Sequence, residues 1–180
     1  MPEFTFPQAQ ASMRSGYLSG APGVLVSGCV WLAAGIVAAS GSPSAAVLTL
    51  LAGGVLIYPA SVALCKVLGR SGTHEPGNPL GVLAVEGTMW LLAGIAVAYA
   101  MHVLRLEWFF PAMLLAIGGR YLTFQTLYGL RIYWLCGGLL CSAGLVLGLF
   151  HAPAHASAFS GAAIELVFAA AVFARAPGSR

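Results

Sequence analysis

The feature that most constrains the fold is a series of six apolar runs, each close to the length that crosses a bilayer. A transmembrane helix needs about 20 mainly apolar residues. Only 7% of the residues are charged, too few to solvate the surface of a soluble domain. The sequence therefore predicts an all-α, polytopic integral membrane helix bundle in contact with the lipid bilayer, forming a single domain over residues 1–180. The six predicted transmembrane helices span residues 22–40, 44–66, 80–101, 107–124, 128–150 and 157–175.

The N-terminal segment, residues 1–21, precedes the first apolar run. Phe4, Phe6 and Met13 alternate there with polar residues and with Arg14, a pattern that predicts a short interfacial helix. A disordered tail is the alternative. The segment has no basic stretch followed by an uninterrupted apolar one, so we expect no cleaved signal peptide.

The distribution of basic residues predicts that both termini are cytoplasmic. Cytoplasmic loops of membrane proteins are enriched in Lys and Arg. With the N-terminus inside, only Arg105 of the eight basic residues falls outside, and the reverse orientation misplaces the other seven. Those on the predicted inner side are Arg14, Lys66, Arg70, Arg120, Arg131, Arg175 and Arg180.

A short motif, W-L-x-x-G, begins at Trp31, Trp90 and Trp134, in the first, third and fifth predicted helices. It suggests three tandem helical hairpins related by a pseudo-threefold axis along the membrane normal. Chance similarity in a chain rich in Ala, Gly and Leu is the alternative. Glycine pairs along the chain favour close helix packing, either within one bundle or in a homo-oligomer.

A polar stretch, residues 118–131 (GGRYLTFQTLYGLR), lies between two apolar runs. A charge in the hydrocarbon region costs about 2.5–3.5 kcal/mol on insertion scales and is usually paired, snorkelling or functional. Glu86, Arg120 and Arg131 lie at one depth in the predicted bundle, which suggests a ligand- or ion-binding cluster. In the alternative, the arginines snorkel to lipid headgroups and the glutamate is a structural partner. The candidate residues are Glu86, Arg120, Tyr121, Tyr128 and Arg131.

Glu165 is the other candidate for binding, because it falls near the bilayer midplane in the last predicted helix. Burial disfavours an ionised carboxyl, so we expect a neutral, hydrogen-bonded side chain there. Proton coupling or cation binding is the functional interpretation, and a purely structural carboxyl is the alternative.

Several classes of function have no support in the sequence. The four cysteines lie in apolar runs without zinc-site spacing. There is no nucleophile motif, no phosphate-binding loop and no aspartate. We therefore expect no enzymatic activity, catalytic residue, cofactor or metal. A formal charge of +3 without a basic run also gives no reason to expect a nucleic-acid partner.

Three strings in the sequence resemble a known group of proteins: MRSGYLSGAPGVLVSGCVW (13–31), GNPLG (77–81) and FPAMLLAIGGRYLTFQTLYGLR (110–131). They look like those of a family of small, uncharacterised bacterial multi-pass membrane proteins. The resemblance implies a bacterial inner membrane and about six helices, and it supplies no activity. The hairpin organisation is also similar to small bacterial stress-associated membrane proteins, an analogy at the level of the fold.

Two hypotheses for function follow. In the first, the protein transports or binds an ion or small solute, of unknown identity, through its intramembrane polar residues. In the second, it is a non-transporting membrane scaffold or stress-response protein whose buried charges only fix helix packing. A water-accessible cavity at Glu165 favours the first, and a solid core packed with Gly and Ala favours the second.

Overall fold

A computed structural model describes residues 4–175, and the regular secondary structure in that range is entirely helical, which confirms the predicted all-α class. Two single-turn 3-10 helices, Leu18–Gly20 and Leu106–Trp108, lead into the second and fifth α-helices. The α-helices are α1 Phe6–Tyr17, α2 Ala21–Ala39, α3 Pro43–Val67, α4 Leu80–Leu104, α5 Phe109–Tyr128, α6 Ile132–Leu149 and α7 Ala154–Arg175.

Five helical stretches of the described chain are long and apolar enough to cross a membrane. Large apolar side chains cover their outer surface, and Val55 and Trp90 are 77% and 79% exposed. Apolar surface on this scale requires an apolar surrounding, so the chain is a polytopic membrane helix bundle. The five stretches are Phe6–Ala39, Pro43–Val67, Leu80–Leu104, Ile132–Leu149 and Ala154–Arg175.

Helix α5 is not among these five stretches, because Arg120 and Gln125 lower its hydropathy. It packs between α4 and α6 and also touches α7 and α1. Phe110, Leu114 and Tyr121 are buried on its inner side. Neighbouring helices therefore cover much of α5. A membrane crossing by α5, the sixth predicted span, stays a prediction.

The predicted boundary between the fourth and fifth transmembrane helices, within residues 124–128, is wrong. Helix α5 continues to Tyr128 and ends at Gly129, whose φ of 69° is left-handed, a conformation that glycine commonly supplies at helix ends. The polar residues before it do not break the helix, because Thr123 Oγ1 donates to the Arg120 carbonyl at 2.7 Å. The connection to α6 is the short turn at residues 129–131.

The N-terminal segment forms the helix that the sequence predicted, α1, rather than a disordered tail. Ala9 and Met13 on one face are buried against the rest of the bundle. Leu18, Ser19 and Gly20 then have positive φ angles of 48°, 58° and 85°. These three residues redirect the chain between α1 and α2.

Short connections join α2 to α3, α4 to α5 and α6 to α7, and the helices of each pair pack on each other, so the chain forms three tandem hairpins. The three tryptophans of the W-L-x-x-G motif nevertheless differ in environment: Trp31 is fully buried, whereas Trp90 and Trp134 are 79% and 53% exposed. Helix α2 packs on α3 and α7, but α4 packs mainly on α5. The predicted pseudo-threefold arrangement is therefore not present in the described chain.

Three Gly-Gly pairs show how the helices approach one another. In each pair the first glycine faces a neighbouring helix, and a Cβ on the second would meet nothing within 4 Å. The close approaches agree with the predicted role of small residues in packing. A homo-oligomer that uses the open glycines stays a prediction. The facing glycines are Gly53, Gly118 and Gly137, and the open ones are Gly54, Gly119 and Gly138.

Candidate functional site

Glu165 lies near the middle of α7 and is the one carboxylate in the described chain that is completely buried. Neither of its carboxyl oxygens has a hydrogen-bond partner among residues 4–175. Ser27 and Trp31 of α2 and Tyr121 of α5 are the polar side chains next to it. They lie close enough to act on the carboxyl as hydrogen-bond donors, although none of them meets full hydrogen-bonding geometry with it. The site is thus a carboxyl at the meeting point of three helices, with donors close by and none bonded to it.

Small residues bring α2 and α7 close enough to enclose this carboxyl. A Cβ on Gly161 would stand 2.8 Å from the Trp31 ring, and a Cβ on Gly28 would stand 2.9 Å from Leu166. The indole therefore lies directly on the α7 backbone, one turn from Glu165. Its Nε1 atom is buried and has no hydrogen-bond partner in the described chain.

Electrostatics favour a neutral Glu165 in this arrangement. An ionised carboxylate in an apolar interior needs a paired charge or several hydrogen bonds. Within residues 4–175 the one ion pair closer than 4 Å is Arg105–Glu107, at 3.5 Å and at the far end of the bundle. The carboxyl can therefore ionise only if water or a cation reaches it.

A cluster of aromatic rings extends from Glu165 to the end of the bundle where α5 terminates. The ring centroids of Tyr121 and Tyr133 are 6.2 Å apart, and those of Tyr133 and Tyr128 are 5.6 Å apart. Phe124 packs edge-on against all three. The Tyr133 hydroxyl donates to the Ser19 carbonyl, so the cluster reaches the junction between α1 and α2.

Helix α1 covers this end of the bundle through hydrogen bonds to the last carbonyls of α5. Arg14 Nη1 donates to the Tyr128 carbonyl at 2.7 Å, and Gln10 Nε2 donates to the Thr126 carbonyl at 2.8 Å. On its other side, the Ala9 carbonyl accepts from Asn78 Nδ2 at 2.9 Å. A cation at a helix C-terminus is also favourable for the helix dipole, so α1 is firmly attached.

The predicted polar cluster is assembled only in part. Tyr121 lies beside Glu165, and Tyr128 is buried in the aromatic cluster. Arg120 is half-buried, with its guanidinium 5.4 Å from the Phe124 ring centroid. Glu86 is exposed and makes no ion pair in the described chain, so the structure does not place it with Arg120.

Arg131 also stands apart from the central site. Its side chain is exposed at the start of α6 and lines a surface groove with Arg175. A role for any of the six candidate residues in ligand binding stays a prediction.

Sequence reasoning missed Ser27 and Trp31 as members of the site. Trp31 stood out only as the first residue of a repeated motif, and Ser27 had no distinguishing signal. The spacing between Trp31 and Ser27 is one helical turn, which places a bulky ring and a hydroxyl on one face of α2. Ser27, Gly28 and Trp31 together are the sequence pattern that could have indicated a face of α2 in close contact with another helix.

Among the described residues, no group of three or more His, Cys, Asp or Glu side chains is placed to hold a metal ion. The four cysteines are free thiols. One of them, the buried Cys136 of α6, lies close enough to Glu165 and Tyr121 to interact with both electrostatically. The site therefore contains one carboxyl, two hydroxyls, an indole and a thiol.

Comparison with known proteins identifies a family whose function is unknown. No curated protein and no solved structure matches the chain. One family matches it from residue 6 to residue 175, which is nearly the whole chain. The protein therefore belongs to the family of unknown function DUF7010.

Proposed function

We propose that this protein transports an ion or small solute across the membrane and that Glu165 binds and releases a proton during the cycle. The observation that carries the proposal is the carboxyl with two unpartnered oxygens at the junction of α2, α5 and α7. Ionisable side chains inside membrane bundles typically mark proton relays or ion paths. The proposed role is binding and transport and involves no catalysed reaction.

The packing supports a cycle in which Glu165 is neutral while the helices are closed. In that state the carboxyl is fully buried. Ionisation then requires that water or a cation enter between the helices, because the described neighbours supply no positive charge. Ser27 and Tyr121 are the hydroxyl-bearing neighbours available to bond an arriving ion. Proton release is thereby linked to helix separation.

The test compares Glu165→Gln with the wild type in liposomes that carry a pH-sensitive dye in the lumen. Glutamine keeps the shape of the neutral carboxyl and cannot titrate. We expect wild-type vesicles to show proton flux under an imposed pH gradient and Glu165→Gln to abolish it. Infrared difference spectra should show a protonated-carboxyl band that disappears in the variant.

Glu86→Gln is the matched control, because it removes an exposed carboxyl that is also embedded in an apolar helix. It should leave both the flux and the infrared band unchanged. Equal proton flux in wild type and Glu165→Gln would contradict the proposal, and so would a wild type without any flux.

The alternative, a non-transporting scaffold or stress-response protein, is favoured by the packing at the site. Gly28 and Gly161 let α2 and α7 touch around the carboxyl. Two hollows on the surface of the described residues, one between α6 and α7 and one around Asn78, do not include Glu165. On this alternative, neither protons nor solutes cross the membrane, and the Glu165 carboxyl stays neutral at every pH at which the protein is folded.

We also propose a bacterial inner-membrane location with six crossings and both termini in the cytoplasm. Arg14, Arg131 and Arg175 stand at the same end of the bundle as the loop between α3 and α4. Arg105 lies at the opposite end, next to Glu107. This asymmetry supports the proposed orientation by the preference of Lys and Arg for the cytoplasmic side.

A further inference from the structure

A groove between α6 and α7 combines two arginines with an apolar floor. Its volume is about 620 Å³, and Arg131 and Arg175 stand at the start of α6 and the end of α7 respectively. Because the two helices are antiparallel, these positions are at one end of the bundle. The apolar part of the lining includes Trp134, Leu135, Val167 and Phe168.

The arginines of the groove have no carboxylate partner among the described residues. Within residues 4–175, no carboxylate lies within 4 Å of either guanidinium. Both side chains are exposed. Two exposed guanidinium groups at one site attract an anion from the surroundings.

The depth of the groove matches one leaflet of a bilayer. Eight residues separate Val167 from Arg175, which corresponds to about 12 Å along a helix at 1.5 Å per residue. Half of the hydrocarbon core is about 15 Å thick. With the arginines at headgroup level, the apolar lining therefore runs along most of one leaflet, and Trp134 lies just inside the interface.

We propose that this groove binds an anionic phospholipid, with its phosphate on Arg131 and Arg175 and an acyl chain along Trp134, Leu135 and Val167. Arginine binds phosphate oxygens through paired N–H donors, and basic pockets between transmembrane helices select anionic lipids. The site is remote from Glu165 and does not depend on the transport proposal.

Quenching of Trp134 by brominated lipid tests the site. The full chain, carrying Trp90→Phe and Trp108→Phe, keeps Trp134 and the fully buried Trp31, which lipid does not reach and which contributes a constant emission. It is reconstituted into phosphatidylcholine vesicles with a minor fraction of phosphatidylglycerol. The bromine is placed on one lipid or the other at constant overall composition. A factor of about fivefold per arginine gives roughly 25-fold enrichment of phosphatidylglycerol at the groove. Trp134 should therefore be quenched far more strongly when that lipid carries the bromine.

Two controls make the result specific. The chain with Trp108→Phe and Trp134→Phe retains Trp90, which is exposed on α4 away from the groove, and its quenching should follow bulk lipid composition. Arg131→Gln with Arg175→Gln should remove the preference at Trp134. Lys66→Gln with Arg105→Gln removes the same charge elsewhere and should keep it.

Two further measurements use the chain with both arginines intact. Raising the salt concentration should reduce the preference, because the arginines are at the aqueous edge. Soluble glycerophosphoglycerol, the headgroup without chains, should not reverse the quenching. Equal quenching by the two brominated lipids, a preference that persists without both arginines, or displacement by the soluble headgroup would overturn the assignment.

Discussion

Two adjacent glycines of α5 offer a direct test of how the bundle is packed. A Cβ on Gly118 would lie 2.6 Å from Cys141 Sγ, 2.9 Å from the Cys141 nitrogen and 2.9 Å from the Gly137 carbonyl oxygen. Two of these three atoms belong to the α6 backbone, so the methyl group cannot be accommodated by a side-chain rotation. A Cβ on Gly119 would meet nothing within 4 Å.

The expected difference follows from the steric cost alone. Replacing Gly by Ala inside a helix is worth up to about 1 kcal/mol in backbone propensity, and this contribution is similar at two neighbouring positions. Inserting a methyl group into a well-packed interface costs about 1–3 kcal/mol. Gly118→Ala should therefore be about 1–3 kcal/mol less stable than Gly119→Ala, with Gly119→Ala equal to or above the wild type.

Reversible unfolding in mixed micelles measures this difference, with helix content by circular dichroism as the signal. Comparing the two variants with each other removes the uncertainty in the membrane value of helix propensity. Equal stability of the two variants would refute the close α5–α6 contact. A less stable Gly119→Ala would show that α5 is rotated from the position described.

Two further predictions concern charges and topology. Glu86→Gln should leave the free energy of unfolding unchanged or raise it, because Glu86 is exposed and has no ion pair. A loss of stability in the micelle assay would instead place Glu86 in contact with a cation. In a cysteine-free background, Glu75→Cys should resist an impermeant thiol reagent in intact cells, because its loop is predicted to be cytoplasmic. His155→Cys, on the opposite side, should react. The opposite labelling pattern would overturn the cytoplasmic placement of the termini.

The positions of the long helices could be predicted because an apolar run of bilayer length directly indicates a transmembrane helix. The predicted run 22–40 corresponds to Ala21–Ala39, and 44–66 corresponds to Pro43–Val67. The turn at Gly129 was missed because polar residues just before it suggested an earlier break. Those residues bond within α5 or to α1, a fact that depends on tertiary structure.

The partners of Glu165 could not be predicted for a different physical reason. A helix that is apolar on all sides has no contrast between a polar and an apolar face, so its sequence does not show which face points inward. The burial of Glu165 followed from its position in α7, but the face of α2 that it meets did not. The same ambiguity explains Glu86, whose neighbour Gly87 lies beside Arg120 Nη1 although Glu86 itself forms no ion pair with that arginine.

The energetics of the central site show what the transport proposal requires of Glu165. The Glu165 carboxyl and the Trp31 indole are both buried polar groups without a hydrogen-bond partner in the described chain. Each such group costs about 1–3 kcal/mol relative to a bonded one. An entering water or cation that bonds the carboxyl recovers part of this energy, which lowers the cost of separating α2, α5 and α7. On the transport proposal, this energy links proton release at Glu165 to separation of the helices, and loss of proton flux in Glu165→Gln is the measurement that distinguishes transport from a scaffold.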